Sequence, residues 1–355
     1  MRRQKWDHAS RTAVLMAIGS LGLLATPGPA RGEAPYLGAD AVEIREAVSR
    51  GLGLVQSAAE NYPTHRDCFS CHHQTLPVFA IVTARAHGVE VDRDVLEAQA
   101  DFTHESFLER VTDMKAGRGI GGGAMTVGYG LWALDLAGRK PDEVTEAMVA
   151  YLLKTQKPEG HWTTHGRRPP LEESVVTSTV LSAVGMRTFA APGRRVAVDR
   201  AVARALAWLE DAPETCQEDR NFRLWGLHRL GASPEAVHKA RAAVLATQRD
   251  DGGWSPRDDM ASDAYATGQT LALLVATGLA PSDPAARRGA ALLRKTQLPD
   301  GSWKVETRSK PVQVYFDNGD PHGKDLFIST PATCWAVAAL AATIDLHPST
   351  TGSRR

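Results

Sequence analysis

Between residues 42 and 344, apolar side chains recur at helical spacing in one segment after another, and Gly or Pro punctuates the joints. The segments fall into six consecutive pairs. The first is Val42–Glu60 with His72–His87, the second Val95–Met114 with Ala124–Leu136, and the third Val144–Thr155 with Glu172–Met186. The fourth is Val198–Leu209 with Phe222–Leu230, the fifth Pro234–Thr247 with Asp263–Thr277, and the sixth Pro284–Thr296 with Phe327–Ile344. Period-two alternation is almost absent, so the pattern predicts an all-α chain. The two members of a pair differ in character. The second opens on small or polar residues, as in Ser262–Gln269 and Ser329–Thr333, and then turns apolar on every side, as in Leu271–Val275 and Trp335–Ala342. A helix apolar all round belongs in a buried layer, so each pair predicts one inner and one outer helix.

A turn motif repeats on top of this pattern. Thr247–Trp254 reads TQRDDGGW, Thr296–Trp303 reads TQLPDGSW, and Thr155–Trp162 reads TQKPEGHW. Each copy ends an outer helix, turns through an acidic-Gly pair or its like, and sets a Trp before the next inner helix. Trp254 and Trp303 are 49 residues apart and Trp162 and Trp254 are 92 apart, so a degenerate copy falls in the longer interval. A repeat of this length cannot bury its apolar face alone and stacks on its neighbours. The glutamine-to-tryptophan turns resemble the repeats of the squalene–hopene cyclase and protein prenyltransferase superfamily. The resemblance rests on Gln156–Trp162, Gln248–Trp254 and Gln297–Trp303 and covers Val144–Ile344; the first two pairs fit by pattern. It implies an α/α toroid (α6/α6 barrel) spanning residues 35–345 as one domain. It also implies that Gln and Trp clamp neighbouring outer helices, and that a small apolar, isoprenoid-type ligand binds at the rim formed by the inner-helix N-termini.

Two departures narrow the activity. The Asp-X-Asp-Asp acid of triterpene cyclases is missing, since Asp258, Asp259 and Asp263 have the wrong spacing, and the chain has room for only one toroid. Asp263 stands instead where a carboxylate caps an inner helix. The prenyltransferase zinc set is incomplete as well. Asp263 and His322 fall in the appropriate repeats, but Tyr265 stands where that family has cysteine, which removes the thiolate that zinc would activate.

Charge and the N-terminus set the setting. Formal net charge is +0, from 41 basic and 41 acidic residues, so nothing global favours nucleic acid as a partner. Arg2, Arg3, Lys5 and Arg11 precede the apolar run 12–25, followed by small residues near Ala30 and Ala34. This reads as a signal peptide over residues 1–34, with a periplasmic or extracellular mature protein. No later segment reads as long and apolar enough to span a bilayer, and residues 346–355 read as a disordered tail.

The most chemically pointed stretch is Cys68-Phe-Ser-Cys71-His72-His73. Cys-X-X-Cys-His is the attachment signature of c-type haem, with two thiols for thioether bonds and His72 as the iron ligand. Such a group needs a redox partner outside the cytoplasm, in agreement with the signal peptide. His65, His165, His322 and Met125 are candidates for the sixth ligand. Two other readings stay open: zinc held by Cys68, Cys71 and His72 or His73, and a local disulfide. Cys334 reads as a buried free thiol, and a bond between Cys216 and Cys334 is conceivable on repeat position alone. Three polar connections, Thr163–Leu171, Ser255–Ser262 and Lys304–Leu326, overhang the same rim. Long loops in a compact repeat carry function, which makes Asp263, His322 and Asp325 the candidate acid–base residues of a haem-free lyase, isomerase or cyclase. A non-catalytic binding or scaffold toroid is the remaining alternative. The run Gly117–Gly123 lacks the ending of a phosphate loop and reads as a turn allowing close helix approach.

Overall fold

The computed structural model describes residues 39–166, 168–310 and 314–344, and the proposed signal peptide, the tail and Arg167 lie outside them. Within these residues the chain is helical, with one isolated bridge between Arg168 and Glu172 and no strand. The outer helices are α1 (Ala39–Asn61), α3 (Arg93–Leu108) continued by α4 (Val111–Ala116), α6 (Glu143–Thr155), α8 (Arg195–Glu210), α10 (Pro234–Ala246) and α12 (Pro284–Thr296). The inner helices are α2 (Leu76–Ala86), α5 (Gly123–Leu136), α7 (Val175–Phe189), α9 (Gln217–Leu230), α11 (Ala264–Ala276) and α13 (Leu326–Ala342). In sequence order each inner helix packs on the next, and α13 packs back on α2, so the inner ring closes. This is the α/α toroid of six pairs.

Several boundaries differ from the apolar pattern for local reasons. The second outer segment breaks at Glu109–Arg110 into α3 and α4, and α4 ends on Gly117, whose left-handed φ of 82° suits glycine. α7 begins at Val175, because Ser174 accepts a hydrogen bond from Thr177 N and caps it there. α9 starts at Gln217, five residues before the apolar pattern does, because its first turn buries polar residues rather than apolar ones. The segment 323–342 is long and apolar enough to cross a membrane, which overturns the expectation that no later segment is. Its burial inside the ring explains its composition, since α13 is the core helix against which α1, α2 and α11 pack.

The repeated turns do what their resemblance implies. Gln156 Nε2 donates to Gly160 O of its own turn (2.8 Å) and to Ala201 O on α8 (2.8 Å). Gln248 does the same to Gly252 O and Ala285 O on α12, and Gln297 to Gly301 O and Ala47 O on α1. The last of these joins the sixth outer helix to the first and closes the outer ring. An arginine three residues beyond each acceptor, namely Arg204, Arg288 and Arg50, donates back to the glutamine side-chain oxygen. Each Trp sends its indole N–H to a carbonyl ten residues upstream, Leu152, Val244 or Leu293, and takes a threonine hydroxyl (Thr179, Thr267 or Thr333) on its backbone N–H. A side chain on the turn glycine would collide with the next helix: a Cβ at Gly160 would lie 2.4 Å from Arg204 O. The degenerate fourth turn uses another device. Arg223 on α9 donates to Leu209 O and Glu210 O and so caps α8 from inside.

Aromatic rings fill the barrel axis. Trp132 of α5 meets Trp225 of α9 across the ring at 5.3 Å, with Phe79 of α2 and Trp335 of α13 at 5.2 and 6.1 Å. This plug leaves the concave space at the rim of the inner-helix N-termini.

Candidate functional site

The Cys68–Thr75 segment begins the rim. Tyr62 is buried and donates its hydroxyl to Cys68 O at 3.0 Å, with Cys68 Sγ 3.8 Å away. Ser70 N donates to Gln74 Oε1 at 2.7 Å, and Cys71–Thr75 form a π-helical turn that runs straight into α2. π turns occur often at functional sites. Cys68 is exposed, Cys71 is buried, and both are free thiols. Burial pushes the Cys71 thiol far above the ordinary cysteine range. Cys71 Sγ lies 3.6 Å from His72 Nδ1. His72 is partly open to the rim, yet burial, with Arg168 nearby, pushes its imidazole down to about 3. It is therefore neutral at ordinary pH, with a lone pair to offer.

The second histidine, an alternative zinc ligand by sequence, has a different task in the fold. His73 is fully buried and stacks on Tyr62 at 4.4 Å. Its Nε2 accepts from Asn318 Nδ2 at 2.7 Å, which leaves Nδ1–H to donate to Ser70 Oγ at 3.3 Å. Asn318 belongs to the long rim loop. Asp320, two residues on, accepts from Thr330 Oγ1 at 2.9 Å and from His322 N at 3.0 Å. Thus one buried imidazole ties the loop before α13 to the cysteine turn. His-Gln at 73–74 directly after the haem-like motif was the available signal; the partner, 245 residues away, was not.

Two chambers open here. The larger, of about 810 Å³, is lined by Cys68, Cys71, His72, Met125, Tyr129, Arg168 and Glu172 among others. The smaller, of about 360 Å³, lies on the far side of His72 and Arg168 and is bounded by Leu171, Phe327, Ile328, Lys310 and Lys324. Between them stands the Arg168–Glu172 ion pair, with Arg168 Nε donating to Glu172 Oε2 at 2.8 Å. Among the sixth-ligand candidates only Met125 lines the larger chamber. His65 stacks on Phe316, His322 bonds Ser302 Oγ at 2.7 Å, and His165 packs on the backbone at Gly123.

The three carboxylate and imidazole candidates lie outside both chambers. Asp263 accepts from Ala266 N at 2.7 Å as the N-cap of α11, and burial pushes its carboxyl up to about 6. Asp325 accepts from Thr307 N at 3.0 Å and faces Lys304. The structure does not bring Asp263, Asp325 and His322 together. A buried acid does occur deeper in the ring. Glu218 of α9 accepts from Thr177 Oγ1 (3.2 Å), Tyr265 OH (3.2 Å) and Gln269 Nε2 (2.7 Å). Burial pushes its carboxyl up to about 8. Tyr265, which replaces the prenyltransferase cysteine, is thus a partner of this acid. Cys216 and Cys334 are buried free thiols with no bond between them.

No protein-family model and no curated protein sequence matches the chain. Solved structures do. A glycosidase variant superposes with a TM-score of 0.59 at 13% identity, covering 87% of this chain and 99% of that one. A variant of the type II terpene cyclase MstE from Scytonema gives 0.53 at 14% identity, covering 86% and 99%. A protein from Actinoplanes gives 0.50 at 16% identity, covering 85% and 100%. The chain therefore has the α/α toroid fold of the type II terpene cyclases. At these identities the likeness defines the fold alone, and a glycosidase on the same fold underlines that fold is not function.

Proposed function

We propose that this protein is an exported toroid whose rim takes a c-type haem, which Cys68 and Cys71 would hold by thioether bonds and His72 by its imidazole nitrogen, beside a chamber for an apolar ligand. The observation that carries this reading is the common lining of the larger chamber. Both thiols, the neutral imidazole and the Met125 thioether all border one space of about 810 Å³. The chemistry of the donors fits as well. Cys71 is held as an uncharged thiol, which suits a neutral thioether better than the thiolate that zinc requires. Among the described residues no three His, Cys, Asp or Glu side chains converge as a closed zinc site needs. Arg168 and Arg110 border the same chamber and could pair with the propionates. Attachment of this kind places the protein outside the cytoplasm, where a redox partner would meet the rim. The smaller chamber, with Leu171, Phe327 and Ile328, is the proposed seat of the apolar ligand. One MstE structure holds its substrate geranylgeranyl dihydroxybenzoate, and an isoprenoid ligand here is a proposal by analogy of fold.

The test is expression with the c-type maturation machinery, followed by an absorption spectrum and a haem stain on a denaturing gel. Covalent haem is expected in the wild type and absent from Cys68→Ala/Cys71→Ala. A Met125→Leu variant should keep the covalent haem and change its spectrum. A wild type without haem overturns the reading.

A further inference from the structure

The smaller chamber joins apolar walls to a charge left unbalanced. Leu171, Phe327 and Ile328 wall a space of about 360 Å³. Four charged residues line it as well: Arg168, Glu172, Lys310 and Lys324. Arg168 and Glu172 pair with each other. Lys310 and Lys324 are exposed, and among the described residues neither is ion-paired to a carboxylate. Asp325 follows Lys324 in the chain, but its carboxylate accepts from Thr307 N at 3.0 Å and faces Lys304 at 4.0 Å. Two positive charges therefore border an apolar space, and the one carboxylate that lines it is already taken.

The bonding of the rim loop brings the two lysines to one mouth. Lys310 follows Ser309, whose hydroxyl donates to Pro169 O at 3.1 Å. Lys324 lies in the single turn Gly323–Asp325 that leads into α13. The bond from Thr307 N to Asp325 ties the two stretches together. A lysine lays its apolar stem along apolar surface and keeps its ammonium toward water, so the charge sits at the mouth and the apolar walls lie below it. A wholly apolar occupant would use the walls and leave both ammoniums idle. An occupant with an apolar body and one anionic head would use both. Lysines offer compact point charges without the planar fork by which arginine grips phosphate, which suits a carboxylate head.

We infer that the smaller chamber binds an apolar carboxylic acid as its carboxylate, with the chain against Leu171, Phe327 and Ile328 and the head between Lys310 and Lys324. No covalent step is involved. The inference rests on the apolar seat proposed above and sharpens it to a class of ligand. It does not rest on the haem, and it uses neither cysteine nor Met125.

The probes are decanoate, 1-decanol and decyl phosphate, which share a chain and differ in the head. Each is titrated into the full-length protein by calorimetry at low ionic strength. Decanoate should bind roughly fivefold more tightly than decanol, the scale of two partly screened ion pairs. That advantage should shrink as salt is added. In Lys310→Gln/Lys324→Gln the affinity for decanoate should fall to that for decanol, with decanol binding and the melting temperature unchanged because both lysines are exposed. Lys310→Arg/Lys324→Arg should keep the preference. Equal binding of decanoate and decanol, or a preference that survives the double glutamine variant, overturns the inference and leaves the apolar seat standing. Decyl phosphate binding roughly tenfold or more above decanoate assigns the head to phosphate and overturns the carboxylate. Binding of neither decanoate nor decanol overturns the apolar seat and this inference together.

Discussion

Each glutamine of the repeated turn makes two hydrogen bonds through one nitrogen, and the two carbonyls belong to different elements. Removing it leaves both carbonyls without that donor and frees the arginine opposite. At about 1 kcal/mol for each bond, Gln297→Ala should cost roughly 2 kcal/mol of stability. The equivalent variants Gln156→Ala and Gln248→Ala should cost the same within a factor of two, since their bonding is the same. Urea denaturation of the three variants checks this; a negligible loss at Gln297 alone would mean that the outer ring is not closed there. The repeat also contains its own receiving end. Ala47 and Arg50 on α1 stand three residues apart, as Ala201 and Arg204 or Ala285 and Arg288 do. The closure was therefore written in the sequence, although only the positions of the acceptors made it readable.

At the scale of elements, the long loop before α13 matters most, because it is held by so little secondary structure. Its anchor is the bond between Asn318 and the buried His73, with Asp320 on Thr330 as a second tie. Asn318→Ala leaves His73 Nε2 buried with no donor, a loss of roughly 1–3 kcal/mol. Local opening of the loop should become cheaper by a similar amount, so amide exchange over residues 314–322 should speed up roughly tenfold or more. Exchange in α8, on the far side of the ring, should stay unchanged. The inner helices were recognisable in the sequence because they are apolar all round. The one whose start lies furthest from the apolar pattern, α9, shows the limit of that signal. Its first turn buries Gln217, Glu218, Asp219 and Asn221, polar residues satisfied by Ser174, Thr177, Thr247 and Gln269 from three other segments. Nothing in a local window marks a polar residue as buried when its partners are some 30 to 50 positions away.

For the whole molecule, buried ionisable groups set opposing pH limits. Glu218 is pushed up from 4.5 to about 8, so the folded state keeps a proton that the unfolded chain has released. Its contribution to stability is full below about pH 4.5 and is lost as pH rises through about 8. Burial pushes His73 well below 6.5. Its contribution is full above about pH 6.5 and is lost as pH falls well below that. The melting temperature should therefore peak in mildly acidic solution and fall on both sides. Glu218→Gln should flatten the alkaline limb and leave the acid limb in place, as thermal melts across pH 3–9 would show. An unchanged alkaline limb in that variant would mean that Glu218 is ionised in the folded protein.

The sequence alone determined the toroid. Helical periodicity, the contrast between inner and outer helices and the recurring Gln-to-Trp turn are local signals, and a repeat protein is built from local units that each contact only their neighbours. It also singled out Cys68, Cys71 and His72, because that motif is contiguous. Tertiary structure alone decided which groups share a cavity. Met125 and Glu172 came to the cysteines, Asn318 came to His73, and Tyr265 came to Glu218, whereas Asp263, His322 and Asp325 were spent on caps and loop bonds. A site made by closing a ring joins residues from many repeats, and its members become neighbours only when the last helix meets the first.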